Sequence, residues 1–533
     1  MIGNGFHIPS LMIVLVLMAA LQQADAVCMP IHLPLQELWE TRLRANVQGT
    51  AFEPGVRESF PGVLRAKEVA DEIWDVFIPL KLDKKRFDEW AETFQSKRMS
   101  DDLAKLQAYW VESSMRGRDT LEQGPEWISQ RKRAEHKAAL SEQRGSAVSK
   151  RGLHALVREG GGKEWHMTQA MKLLSPFSMD APVDDDLWFA ARSIAVFGPH
   201  IKRYRNEQSK AFWRVCRGLK GLNDQLVQTM HPDVAKVASA KSPAAMAVIT
   251  VIMRWPDREQ PCLFVSGFPM IGQAETSQVF RTLQTPVGGG EEAIQDFLGP
   301  AASQWVDELE AMTPRWDDVD YIYQQTIKEQ KAGYCGPFLS KSDLDEKYGV
   351  GGWRPQKRFL ITQAGGKKRV IDDAHRSGHN AATRTWETIF TVNCEFAVFA
   401  ARTLIREILR TEASDCDLEG NLGHLLSLIP AWVDVVQFLQ DMVDAYRQVP
   451  SAPEHASVMQ IAVYVPSLGW RYTQMYGNPF GMSRAVLNFN RLPTLNVAFC
   501  RRSMGVMAAA YFDDNLGVDL AIADGTGEAA MVA

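Results

Sequence analysis

The chain has 533 residues, of which 46% are hydrophobic and 23% charged, with a formal net charge of −5 at pH 7. That is length for two to four domains, in the proportions of an ordinary globular protein with a sizeable core. The acid excess excludes a uniformly basic nucleic-acid coat but leaves local basic grooves open, since binding follows charge distribution rather than the total.

Seven cysteines lie scattered along the chain with no C-x-x-C pair. This spacing speaks against a zinc site and against a disulfide framework. It suits reduced intracellular thiols that act as small buried hydrophobes. The N-terminus conflicts with that compartment. Leu11 to Leu21 is wholly apolar and Ala24-Asp-Ala26 follows, the pattern of a secretory signal. Residues 1–26 are therefore set apart as a signal-like segment.

Residues 27–170 read as a charged helical region. Phe87, Trp90, Phe94, Leu103, Leu106, Tyr109 and Trp110 recur at helical intervals. Between Arg131 and Lys163 nine Lys/Arg stand against three Glu. A solvated helix face explains that run better than a nucleic-acid contact. Gly160-Gly-Gly162 lacks the Lys-Ser/Thr of a phosphate loop.

Residues 171–320 form a second helical block with no assigned role. Trp188–Phe197 and Phe212–Leu222 are amphipathic, and Lys202, Arg203, Arg205, Lys210, Arg214, Arg217 and Lys220 make the block basic. Ala244–Met253 reads as a buried element, and 291–298 and 302–312 as helices.

From Tyr321 a helix pattern runs to Gly336. Arg358–Thr362 and Arg369–Asp372 then read as two strands joined at Gly365-Gly366, with seven Lys/Arg against two Asp between Arg354 and Arg376. On its own this is an ordinary exposed hairpin. Phe390–Leu409 reads as a long helix and Trp432–Leu439 as a strand that ends at Asp441. Val458–Tyr464 and Trp470–Tyr476 pair as strands, and Ser483–Phe499 is a helix expected to kink or break at Pro493. Two apolar arms, Met504–Ala510 and Leu516–Leu520, flank Asp513-Asp514. Burying two such carboxylates without a cation is costly, which favours a metal over an exposed turn.

Four stretches carry a family resemblance: Lys367-Lys-Arg-Val-Ile-Asp-Asp373 with Ser377-Gly-His-Asn380; Asp441-Met-Val-Asp-Ala-Tyr-Arg-Gln-Val-Pro450; Asn478-Pro-Phe-Gly-Met-Ser-Arg-Ala485; and Tyr511-Phe-Asp-Asp-Asn515. In order and spacing they resemble the fingers segment and motifs A, B and C of the retroelement reverse transcriptases. The likeness covers roughly residues 325–520. It implies an α+β right-hand polymerase module, fingers over 321–430 and an antiparallel palm sheet over 431–520, behind a mainly helical N-terminal half.

The implied activity is RNA-directed DNA synthesis. Two Mg²⁺ ions, for which Mn²⁺ can substitute, would be held by Asp441, Asp513 and Asp514. Asp444 is the rival for Asp441; the resemblance favours Asp441, five residues before the aromatic Tyr446. Lys368 and Arg369 fall where the triphosphate is gripped, and Gln363 lies near a second basic contact that Lys357 or Arg358 would replace. Tyr446 would underlie the incoming sugar and select deoxynucleotides. Phe480 and Gly481 would approach the nucleotide. The implied partners are an RNA or DNA template with its primer and deoxynucleoside triphosphates, inside the cell and with no membrane partner. The tail 521–533 leaves no room for motif D or a thumb, so the expectation is a truncated element whose thumb comes from a separate subunit or downstream sequence. The alternative is a catalytically inactive, nucleic-acid-binding remnant.

Overall fold

A computed structural model describes residues 63–107 and 185–532, apart from 274, 290–295, 364–365, 390–391, 393–394 and 413–428. The signal-like segment, the basic run at 131–163, Gly160–Gly162 and most of the expected helix at 291–298 lie outside these residues. The described architecture is mixed α and β. Among the described residues no single helix is long and apolar enough to cross a membrane.

The helices in chain order are α1 (Ala66–Phe77), α2 (Lys84–Phe94), α3 (Lys97–Leu106), α4 (Asp185–Phe197), α5 (Ile201–Gly218), α6 (Lys220–Thr229), α7 (Pro232–Ala238), α8 (Pro243–Ile252) and α9 (Gln260–Ser266). They continue as α10 (Pro300–Ala311), α11 (Trp316–Lys331), α12 (Lys341–Tyr348), α13 (Glu395–Glu412), α14 (Ser483–Phe499) and α15 (Thr526–Val532). Side-chain oxygens start several of them. Asp83 accepts from the Arg86 amide, Ser96 from Met99 and Ser242 from Ala245, which satisfies donors that a first helical turn leaves open. Nearly all of α8 is buried, as suits a helix apolar on every side.

The strands are β1 (Gly272–Gln273), β2 (Arg281–Gly288), β3 (Pro355–Thr362), β4 (Lys368–Asp373), β5 (Thr383–Thr388), β6 (Val435–Asp441), β7 (Gln460–Val465), β8 (Gly469–Gln474), β9 (Met507–Tyr511) and β10 (Asp514–Leu520). They form three sheets, ordered β1-β5-β2, β6-β10-β9 and β4-β3-β7-β8. The hairpins expected at 358–372, 458–476 and 504–520 are all present and antiparallel, the second with strands trimmed to 460–465 and 469–474 and the third beginning at Met507.

Most of β9 and β10 is covered on both faces, whereas the edge strand β6 leaves Gln437, Leu439 and Asp441 exposed. Side chains alternate along β9, so Met507 and Ala509 join one core and Ala508 and Ala510 the other. The first core is built with α4, α5 and α13; the second with α1–α3, α5, α6, α8, α9 and α14. The buried Arg205 of α5 reaches Asp519 of β10 at 2.5 Å and the carbonyl of Gly505 at 2.8 Å. Arg502 pairs with the buried Asp186 at the start of α4.

This packing corrects the domain reading. The cores cross the boundaries drawn at 170, 320 and 430, so the N-terminal helices are the backing of the sheet rather than a separate body. Much of their positive charge is consumed internally, Arg214 by Asp102, Lys210 by Glu207 and Lys220 by Asp224. A second correction concerns 453–476. These residues sit inside the stretch assigned to one palm sheet, yet β7 pairs in parallel with β3 and so belongs to the other sheet. That four-stranded sheet buries one face against α10 and α12 and the other against α11. Pro493, the expected site of a kink or a break, brings no break. The helix runs through it, because burial on nearly every side of α14 outweighs one lost backbone hydrogen bond.

Candidate active site

Three aspartates lie at one end of the β6-β10-β9 sheet. β6 ends on Asp441 and β10 begins on Asp514, and the antiparallel register sets these two directly opposite each other. The two-residue turn Phe512-Asp513 joins β9 to β10, with Phe512 in the left-handed region at φ 55°. A bulky residue held there is strained, a condition that clusters at functional sites. The amide of Met442 donates to the Asp513 carbonyl at 2.9 Å and ties the turn to the end of β6. Burial, then the charges of Asp513 and Asp441, push the Asp514 carboxyl above its ordinary range, while Lys367 and Arg369 pull it back. Asp444 turns elsewhere. It adopts φ 53° and accepts from the Tyr334 hydroxyl at 3.3 Å.

The charges of the basic hairpin are felt at Asp514, through Arg369 of the expected pair and through Lys367. Neighbours in a strand face opposite ways. Lys368 stands over the Tyr321 ring at 5.0 Å on the α11 side. Arg369 and Lys367 act on Asp514 instead. Gln363 accepts from Arg369 Nε at 3.2 Å. Neither proposed substitute for a second basic contact is available. Arg358 is buried in ion pairs with Asp372 and Glu329, and Lys357 packs near Trp470 and the Met312 sulfur. Lys367 was missed by the sequence reading, and its i, i+2 relation to Arg369 was the signal that pairs them.

Tyr446 lies on the short turn Ala445–Gln448 after β6. Its ring stacks on Phe489 of α14 at 4.7 Å and meets Phe480 at 5.0 Å. Burial, then the Asp513 charge, raises its hydroxyl pKa to about 12, so the phenol stays protonated at neutral pH. Tyr446, Phe480 and Asp513 are thus neighbours.

Gly481 makes the closest approach between the two halves of the site. It adopts φ +108°, and a Cβ there would lie 2.1 Å from the Asp372 carbonyl oxygen. The Asp372 amide donates to the Phe480 carbonyl at 3.0 Å. Asn380 closes the contact, donating to the Gly481 carbonyl at 3.0 Å and accepting from the Ser483 amide at 2.9 Å. The stretches at 367–380, 441–450, 478–485 and 511–515 are therefore brought together, and the helical backing holds the sheet that carries the carboxylates.

Among the described residues no three or more His, Cys, Asp or Glu side chains are gathered tightly enough to hold a metal ion as they stand. The donor chemistry at the sheet end nevertheless suits a hard divalent cation: three carboxylates, with Asp514 raised by burial and then by the other two. The chain matches no protein-family model, and comparison with curated proteins returns no relative.

Proposed function

We propose that the chain is a reverse transcriptase of retroelement type, an RNA-directed DNA polymerase that adds deoxynucleotides to a primer 3′-hydroxyl. The observation that carries this reading is the register of Asp441 opposite Asp514, with Asp513 at the adjoining turn and the positive charges of Lys367 and Arg369 acting on Asp514. In this reading β6-β10-β9 is the palm sheet, and α11 with β4-β3-β7-β8 is the fingers side of a right-hand polymerase.

Asp441, Asp513 and Asp514 would hold Mg²⁺, with Mn²⁺ as substitute, and the bound ions would supply charge neutralisation for phosphoryl transfer. Arg369 and Lys367 fix the triphosphate electrostatically, where developing negative charge needs preorganised cations. Lys368 braces α11 through Tyr321. Tyr446, held by Phe489 and Phe480, presents an apolar floor to the sugar. Gly481 keeps the 478–481 turn flush with β4, which would let the backbone approach the nucleotide closely. The template, its primer and the deoxynucleoside triphosphates are the partners, in an intracellular setting that supplies those triphosphates.

Primer extension on an RNA template, with Mg²⁺ or Mn²⁺, tests this directly beside Asp513→Asn. Extension by the parent and none by the variant is the expected result. Equal extension by both assigns the activity to a contaminant. Metal-dependent triphosphate binding with no extension by either replaces the enzyme reading with a nucleic-acid-binding remnant.

A further inference from the structure

Four charged side chains from separate parts of the chain meet between α11, β3, β4 and the Ala445–Gln448 turn. Arg358, Asp372 and Arg447 are each at most 3% exposed. With Glu329 they alternate in sign and close a ring. Arg358 Nη1 lies 2.6 Å from Glu329 Oε2, and Arg358 Nε lies 2.8 Å from Asp372 Oδ1. Arg447 Nη2 lies 3.2 Å from Asp372 Oδ2, and Arg447 Nε lies 3.1 Å from Glu329 Oε1. The buried charge sums to zero.

The ring touches the turn after β6, the 478–481 segment and β4, but not the three carboxylates at the sheet end. Arg447 follows Tyr446 directly. Its Nη1 donates to the Asn478 carbonyl at 2.8 Å, and its guanidinium lies 5.1 Å over the Phe480 ring. Asp372 sits three residues beyond Arg369 on β4, and its backbone meets both Phe480 and Gly481. Stability alone is a poor reason for this arrangement. Desolvating four charges is costly, and packed hydrophobic residues often do as well or better. Planar, bidentate guanidinium groups instead give fixed distances and angles.

We propose that this ring sets the separation between the Tyr446–Phe480–Gly481 platform and the basic strand β4, so that Glu329, Arg358, Asp372 and Arg447 are positioning residues for nucleotide binding. The inference rests on the polymerase reading above. The ring itself touches neither the carboxylates nor, in that reading, the reacting atoms. Its loss therefore acts on how well the nucleotide is held.

Two variants of the full chain test it. Arg447→Lys keeps the charge but loses the fork. Arg447→Met with Glu329→Gln removes one cation and one anion, which leaves the Arg358–Asp372 pair balanced and protects folding. Amide hydrogen exchange needs no ligand. It is expected to quicken at Asp372 and across 478–481 while β9 and β10 keep their parental protection. In primer extension the KM for deoxynucleoside triphosphate is expected to rise roughly tenfold or more with kcat changed far less, the signature of lost binding rather than lost chemistry. Unchanged exchange at those amides, or equal loss of protection throughout the chain, overturns the positioning role. So does a fall in kcat with KM unmoved. A parent that extends no primer removes the polymerase reading only, and the exchange pattern still decides the ring.

Discussion

Replacing Gly481 by Ala adds one methyl group at the tightest contact in the site. The new Cβ would start 2.1 Å from the Asp372 carbonyl oxygen and 3.6 Å from Ile371 Cγ2. Cβ atoms essentially never approach a heavy atom within 3.0 Å, and the partner here is backbone with no side-chain rotation to give way. The turn and β4 must therefore part by about 1 Å, a displacement expected to lower kcat/KM on the order of 100-fold, chiefly through KM. The φ of +108° adds strain of about 1–3 kcal/mol for any residue with a Cβ. Separation also stretches the 3.0 Å bond from the Asp372 amide to Phe480 and both Asn380 bonds. Each is worth about 1 kcal/mol net, so the expected destabilisation is roughly 2–5 kcal/mol. Urea denaturation measures the stability and primer extension the rate. A Gly481→Ala protein as stable as the parent, within about 0.5 kcal/mol, refutes the close approach.

Two other substitutions probe the charges. A raised folded pKa means that Asp514 favours folding below its unfolded pKa and loses that contribution as pH rises through the folded value. Asp514→Asn should therefore make the metal-free protein more stable at pH 7 and flatten its acid-range pH dependence, while abolishing extension; a less stable variant at pH 7 contradicts the repulsion among the three carboxylates. In the parent, Mg²⁺ at about 100 times its dissociation constant should add roughly 2.7 kcal/mol, and the variant should gain much less by the same denaturation assay. Arg205→Met strands the buried Asp519 against β10 and should cost about 3–5 kcal/mol in urea denaturation, most of it recovered by adding Asp519→Asn. A cost below about 1 kcal/mol would mean that α5 does not brace the sheet.

Local chemistry made much of the site legible from sequence. Strand alternation, turn residues and the end of an apolar run are set within a few residues, so the hairpins and the positions of Asp441, Asp513 and Asp514 could be read directly. Motif matching put Lys368 and Arg369 together, whereas Lys368 stands over Tyr321 and it is Lys367 and Arg369 whose charges act on Asp514. Asp444 and Arg358 were plausible by position alone, and their partners, Tyr334 and the Asp372–Glu329 pair, come from other elements.

The sequence by itself therefore determined the carboxylate hairpin, the basic hairpin and the glycine turn, because each depends on periodicity and backbone preference within one segment. Only the tertiary structure decided that β7 and β8 join β3, that Arg205 from the basic helical block ends in Asp519, and that Arg447 closes a ring with residues 75 and 118 positions away. Those choices follow from which faces must bury together and which buried charges must find an opposite, and no spacing along the chain encodes them.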